Sequence, residues 1–198
     1  WTNSTPSIGL AASGTGNIAS FTAVNAGTAP VTATITVTPS YTNGGATCTG
    51  TPTTYTITVN PSGLVNTVAN QTICNNANTA AVTFGTANTG GTTTYSWTND
   101  NTSIGLAASG TGNIASFAAV NTGTTPVTAT ITVTPSYTNG GVTCTGTPTS
   151  FTITVNPTPT VNVVANQVLC NGSSTTAVTF TGAVAGTVYS WTNTTTSI

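Results

Sequence analysis

Four cysteines, one aspartate and an abundance of Ser and Thr hydroxyls carry whatever reactive chemistry this chain holds. Cys48 and Cys144 each follow a GG-x-T run, and Cys74 and Cys170 each close an NQ-x-x-C run. A hydroxyl becomes a nucleophile when a neighbouring base takes its proton, and general acid–base work draws on His, Lys or paired carboxylates. The chain has no Lys, Arg or His, and Asp100 is its only acidic side chain. That excludes the usual hydrolase constellations, so no catalytic residue and no cofactor are expected. Calcium sites need several carboxylates converging on one ion. A single Asp cannot supply them, so no metal ligand is expected either. Without Lys, a Lys–Asn isopeptide crosslink is impossible. Without any cation there is nothing to clamp phosphate, which excludes nucleic acid and attraction to anionic membranes. The glycine-rich loop GLAASGTGN, at 9–17 and 105–113, lacks the Lys and the strand–loop–helix setting of a phosphate loop and reads as a turn.

What remains for these residues to do depends on the elements that hold them. The run PVTATITVTPSYTNGG, at 30–45, returns letter for letter at 126–141. Val31, Ala33, Ile35 and Val37 alternate with Thr32, Thr34, Thr36 and Thr38, the mark of a half-buried strand. Asn43-Gly44 supplies the residues that tolerate positive φ in a tight hairpin, and a second alternating run, YTITVNP or FTITVNP, follows. Charge is minimal, at −1 over 198 residues, yet 37% of the residues are apolar and fall on strand periodicities. This is the composition of a folded all-β chain with Thr, Ser and Asn on its surface rather than of a disordered one. No apolar run is long enough to span a bilayer.

The chain repeats. Residues 1–61 match 97–157 at all but nine positions, and 62–96 match 158–190 more loosely. A period near a hundred residues suits a string of whole domains. The boundary falls at VNP, where proline ends the strand. Residues 61–156 then form one complete domain, 1–60 the back of a preceding one and 157–198 the front of a following one. Seven strands are expected in the complete domain, near 63–69, 79–85, 92–98, 103–108, 113–120, 126–137 and 149–156. That spacing predicts an immunoglobulin-like β-sandwich, with Tyr95, Trp97 and Phe117 in its core. The inter-sheet disulfide of antibody domains is missing.

The blocks NQ-x-x-CN, AVTF, YSWTN, SIGLAASGTGNI, CTGTP and FTITVNP resemble the PKD-like repeats of very large surface proteins in Bacteroidota, among them the gliding-motility adhesins exported by the type IX system. The resemblance covers the whole chain. It implies tandem seven-strand β-sandwiches in a secreted, extracellular cell-surface filament or adhesin stalk, with no catalytic or metal residue. The chain lacks the Asp-containing turn of better-known PKD domains. The expected partners are neighbouring repeats, identical chains in a filament and surface polysaccharide. Two further readings stand beside the stalk: a polysaccharide-binding module, and a Thr-rich surface that binds ice or assembles laterally.

In an exported protein an even cysteine count points to disulfides. Cys74 and Cys170 lie between the first and second strands of their repeats, Cys48 and Cys144 between the last two. In a sandwich those loops occupy opposite poles, too far apart for a bridge within one domain. The expectation is therefore a bridge from each first-loop cysteine to the last-loop cysteine of the following domain. The alternative is four free thiols.

Overall fold

The alternating runs form the strands on which everything else is laid. The computed structural model describes residues 1–195, so the last three residues of the third unit lie outside it. It is nearly all β, with two short 3₁₀ turns at Pro6–Ile8 and Thr102–Ile104 as its helical elements among the described residues. In the first repeat the strands are β1 (Thr2–Asn3), β2 (Val31–Val37), β3 (Ser40–Asn43), β4 (Ala46–Thr49) and β5 (Thr53–Val59). β1, β2 and β5 make an antiparallel sheet, and β3 pairs with β4 as a separate hairpin. The second repeat contributes β6 (Gln71–Cys74), β7 (Thr92–Asn99), β8 (Ser109–Thr111), β9 (Val127–Asn139), β10 (Val142–Thr145) and β11 (Thr149–Asn156). These six form one sheet in the order β6-β11-β9-β7-β8, with β10 paired to the far end of β9.

Alternation sorts the faces. Ala129, Ile131 and Val133 of β9 are buried beside Phe151, Ile153 and Val155 of β11 and Trp97 of β7. Their neighbours Thr128, Thr132, Ser150 and Thr154 take the other face, where facing hydroxyls pair at 2.9–3.1 Å. The apolar face is covered by Val82, Phe84, Ile104, Leu106, Ile114 and Ala119. A smaller cluster, Ile8, Leu10, Ala33 and Ile35, repeats the arrangement on the first sheet.

β9 runs unbroken through Pro135, whereas the same sequence in the first repeat breaks between Val37 and Ser40. The difference lies in the neighbour. β7 pairs with β9 from Ile131 to Thr138 and holds the strand straight across the proline, while β1 reaches only Ile35 and Thr36.

Four of the seven expected strands depart from the reading, each for a local reason. Residues 63–69 form no strand; the chain pairs later, through β6, and parallel to β11 rather than antiparallel. Gly63 and Asn66 bond instead to the carbonyls of Cys144 and Gly85, which carries the chain across the sheet before it can pair. Residues 79–85 and 113–120 meet only at the bridges Asn78↔Ala118 and Val82↔Ile114. Side chains replace the missing ladder: Thr79 Oγ1 accepts from Phe117 N at 3.1 Å, and Asn113 Oδ1 from Phe84 N at 2.9 Å. Residues 103–108 are not a strand. Asn101 caps a 3₁₀ turn by accepting from Ser103 N, and Gly105 at φ 93° ends it, so the strand starts at Ser109. The hairpin turns also shift by one residue: positive φ falls on Gly44 and Gly45, and on Gly140 and Gly141, rather than on the preceding Asn.

Residues 157–195 contain no strand. They nevertheless keep two contacts of the second repeat. Gln167 brackets Thr176 with two backbone bonds of 2.9 Å, as Gln71 brackets Ala80. Phe180 leans on Tyr189 with ring centres 5.9 Å apart, as Phe84 leans on Tyr95 at 5.3 Å.

Candidate functional site

The lone carboxylate is structural. Asp100 Oδ1 accepts from Thr130 N at 2.7 Å; one repeat earlier, Ser4 Oγ accepts from Thr34 N at 2.8 Å. An acceptor of either kind ties the end of the WTN strand to the sheet, which is why a charge is dispensable there.

The glycine-rich loop is a seat for tryptophan. Trp97 lies over Gly110, where a Cβ would stand 2.6 Å from indole Cε2; Trp1 lies over Gly14 in the same way, with a Cβ at 2.7 Å. Trp97 is 7% exposed, and its indole N–H is buried without a hydrogen-bond partner among the described residues, so the ring serves packing. Tyr95 and Phe117 are half-buried against the same cluster. Burial raises the Tyr95 hydroxyl above the usual phenol range, partly offset by its hydrogen bond with Thr86.

Two groups of residues gave no signal in the alternation. Asn99, of the WTN triplet, is buried and donates to the Leu106 carbonyl at 3.0 Å; Asn3 does the same to Leu10 at 2.9 Å. Asn121 donates to Val155 at 2.7 Å and Thr125 at 2.8 Å, matched by Asn25 to Val59 and Ala29. Tyr137 is fully buried at the end of β9 and donates to the Thr89 carbonyl at 2.9 Å. The recurrence of each asparagine at the homologous position in the other repeat was the available clue.

Tyr137 belongs to the junction between the first and second repeats, where the polar contacts concentrate. Asn60 and Asn139 clasp each other: Asn60 Nδ2 donates to the Asn139 carbonyl at 2.9 Å, and Asn139 Nδ2 to Asn60 Oδ1 at 3.0 Å. Thr89 N donates to the Thr28 carbonyl at 2.9 Å. Asn88 accepts from Leu64 N at 2.7 Å and donates to the Ser62 carbonyl at 3.1 Å. Pro61 is fully buried, and a Cβ on Gly63 would stand 2.8 Å from the Pro135 backbone. The strand that ends one repeat therefore enters the next without a spacer.

All four cysteines are free. Cys74 ends β6 level with Asn156, beside the start of β9. Cys144 lies on β10 level with Tyr137, near the far end of β9. The two are separated by most of a strand of roughly 30 Å at ~3.4 Å per residue. Among the described residues no cluster of His, Cys, Asp or Glu could hold a metal ion, and no helix is long and apolar enough to cross a membrane. No protein-family model matches the chain, and no curated protein sequence matches it.

Proposed function

We propose that this chain is a stretch of a long extracellular stalk or adhesin filament, built from tandem immunoglobulin-like sandwiches of the PKD-like kind. Residues 61–156 are one such unit, 1–60 the back of the unit before it and 157–198 the front of the unit after it. The observation that carries the reading is the junction at Asn60. A buried proline, reciprocal amide bonds between Asn60 and Asn139, and the Thr28–Thr89 bond fix one repeat directly on the next. A chain made for catalysis or regulated binding has no need of such a joint, whereas a stalk transmits tension through it. The near-neutral surface of paired threonines suits a structure that must keep its shape across salt and pH, because almost nothing on it titrates.

The cysteines fit the same reading as staples between repeats. Register puts Cys74 beside Asn156, the counterpart of Asn60. Asn60 grips Asn139, whose hairpin carries Cys144. A first-loop cysteine thus sits next to the clasp that presents the last-loop cysteine of the following repeat. In an oxidising compartment the two thiols would yield two protons and two electrons to an oxidant such as a disulfide oxidase and close a bridge across the joint. Immunogold electron microscopy of intact cells with antibody against residues 61–156 tests the function. Label along thin surface fibres is the expected result; label confined to the cell interior defeats it.

A further inference from the structure

Two surfaces of this chain are uncovered, and each has the shape of the other's partner. On the first sheet, Tyr55, Ile57 and Val59 occupy the positions that Phe151, Ile153 and Val155 hold on β11. The latter three are buried, whereas Tyr55 is exposed and the other two are half-buried. The β3–β4 hairpin pairs only with itself among the described residues, and its Tyr41 is 70% exposed where Tyr137 is fully buried. The cover missing from this sheet is the one that Val82, Phe84 and Tyr95 provide in the second repeat.

Residues 158–190 carry that cover. Val178, Phe180 and Tyr189 stand at the positions of Val82, Phe84 and Tyr95. The Gln167 bracket and the Phe180–Tyr189 pair are already formed, with no sheet beneath them. Trp191 is 73% exposed, against 7% for Trp97. A depression of about 360 Å³ opens between Pro126, Asn156 and Pro157 on one side and Val184–Thr187 on the other. At the first junction the corresponding space, beside Pro30 and Gly90, is filled by Tyr137.

The two surfaces cannot meet within one chain, because they flank opposite ends of β9, a strand of 13 residues. At ~3.4 Å per residue that is roughly 44 Å of rigid sheet. We propose that residues 158–190 of one copy cover the β1–β2–β5 sheet of a second copy, end to end, reproducing between chains the contacts seen within 61–156. Tyr41 of the acceptor enters the donor's depression, and Asn43 clasps the donor's Asn156 as Asn139 clasps Asn60. Residues 191–198 of the donor correspond to 1–8 of the acceptor, whose Trp1 already lies over Gly14, so they take no part. This pairing goes beyond the stalk reading and does not depend on where the protein is displayed.

Sedimentation of the 198-residue chain tests it. Mass should rise with concentration through two-chain and larger species. Phe180→Asp disables the donor and Tyr41→Asp the acceptor, and each variant alone should sediment as a monomer. Mixed one to one, they should form a two-chain species through the intact donor of one and the intact acceptor of the other. Near-UV circular dichroism from Trp97 verifies that the middle repeat stays folded. A wild-type chain that remains monomeric, a single variant that still self-associates, or a folded mixture that stays monomeric overturns the proposal.

Discussion

Asp100 and Ser4 show how little this protein asks of charge. Both give an oxygen to a backbone N–H on the neighbouring strand. Asp100→Ser should therefore leave the urea midpoint nearly unchanged, within about 0.5 kcal/mol, whereas Asp100→Ala should lower stability by ~1 kcal/mol by orphaning the Thr130 amide. Trp97 is the opposite case, a residue whose value is bulk. Trp97→Ala should cost about 3–5 kcal/mol, and Gly110→Ala, which drives a methyl into the indole, about 1–3 kcal/mol; chemical denaturation measures both. Tyr95 sets the alkaline limit. Its folded pKa is raised, chiefly by burial, so its contribution is fully present below the ordinary phenol pKa of ~10 and is lost as pH climbs through the higher folded value. The melting temperature should decline above that range, and Tyr95→Phe should soften the decline. Trp97 and Tyr95 could be read in the sequence because alternation with Thr and Ser marks an inward face. Asn99 and Tyr137 could not, because their worth comes from the Leu106 and Thr89 carbonyls, which only the folded chain brings near.

At the scale of elements, the strands that announced themselves were those with long, strict alternation: β2, β5, β9 and β11, and β7 with its aromatic pair. The covering layer was misread because its order comes from side-chain oxygens. Gln71, Thr79, Asn101 and Asn113 each bond backbone groups that a ladder would otherwise use, so apolar alternation there does not imply a sheet. The parallel pairing of β6 also has no local sign; it depends on where the chain is led after Gly63. The two layers should differ in hydrogen exchange. Amides in the paired stretches of β9 and β11 should exchange slowest, and in 79–85 and 113–120 strong protection should centre on Val82 and Ile114, which bond each other's carbonyls at 2.8 and 3.0 Å. Uniform protection across both stretches would mean that a full second sheet forms in solution.

For the whole molecule, the hundred-residue repeat was plain from the sequence, but the joint was not. VNP marked a boundary, yet nothing in those letters shows that Asn60 reaches Asn139 or that Pro61 is buried. That joint separates a stalk from beads on a loose string. The measurement that tests it most directly is small-angle X-ray scattering of the full chain, extrapolated to zero concentration and compared with Asn60→Ala/Asn139→Ala. A single globule of this length has a radius of gyration of about 16 Å. The in-line arrangement predicts a clearly larger value, a rod-like distance distribution, and a broader distribution once the clasp is removed. A wild-type radius at the globular value, or a curve that the double substitution leaves unchanged, would contradict it.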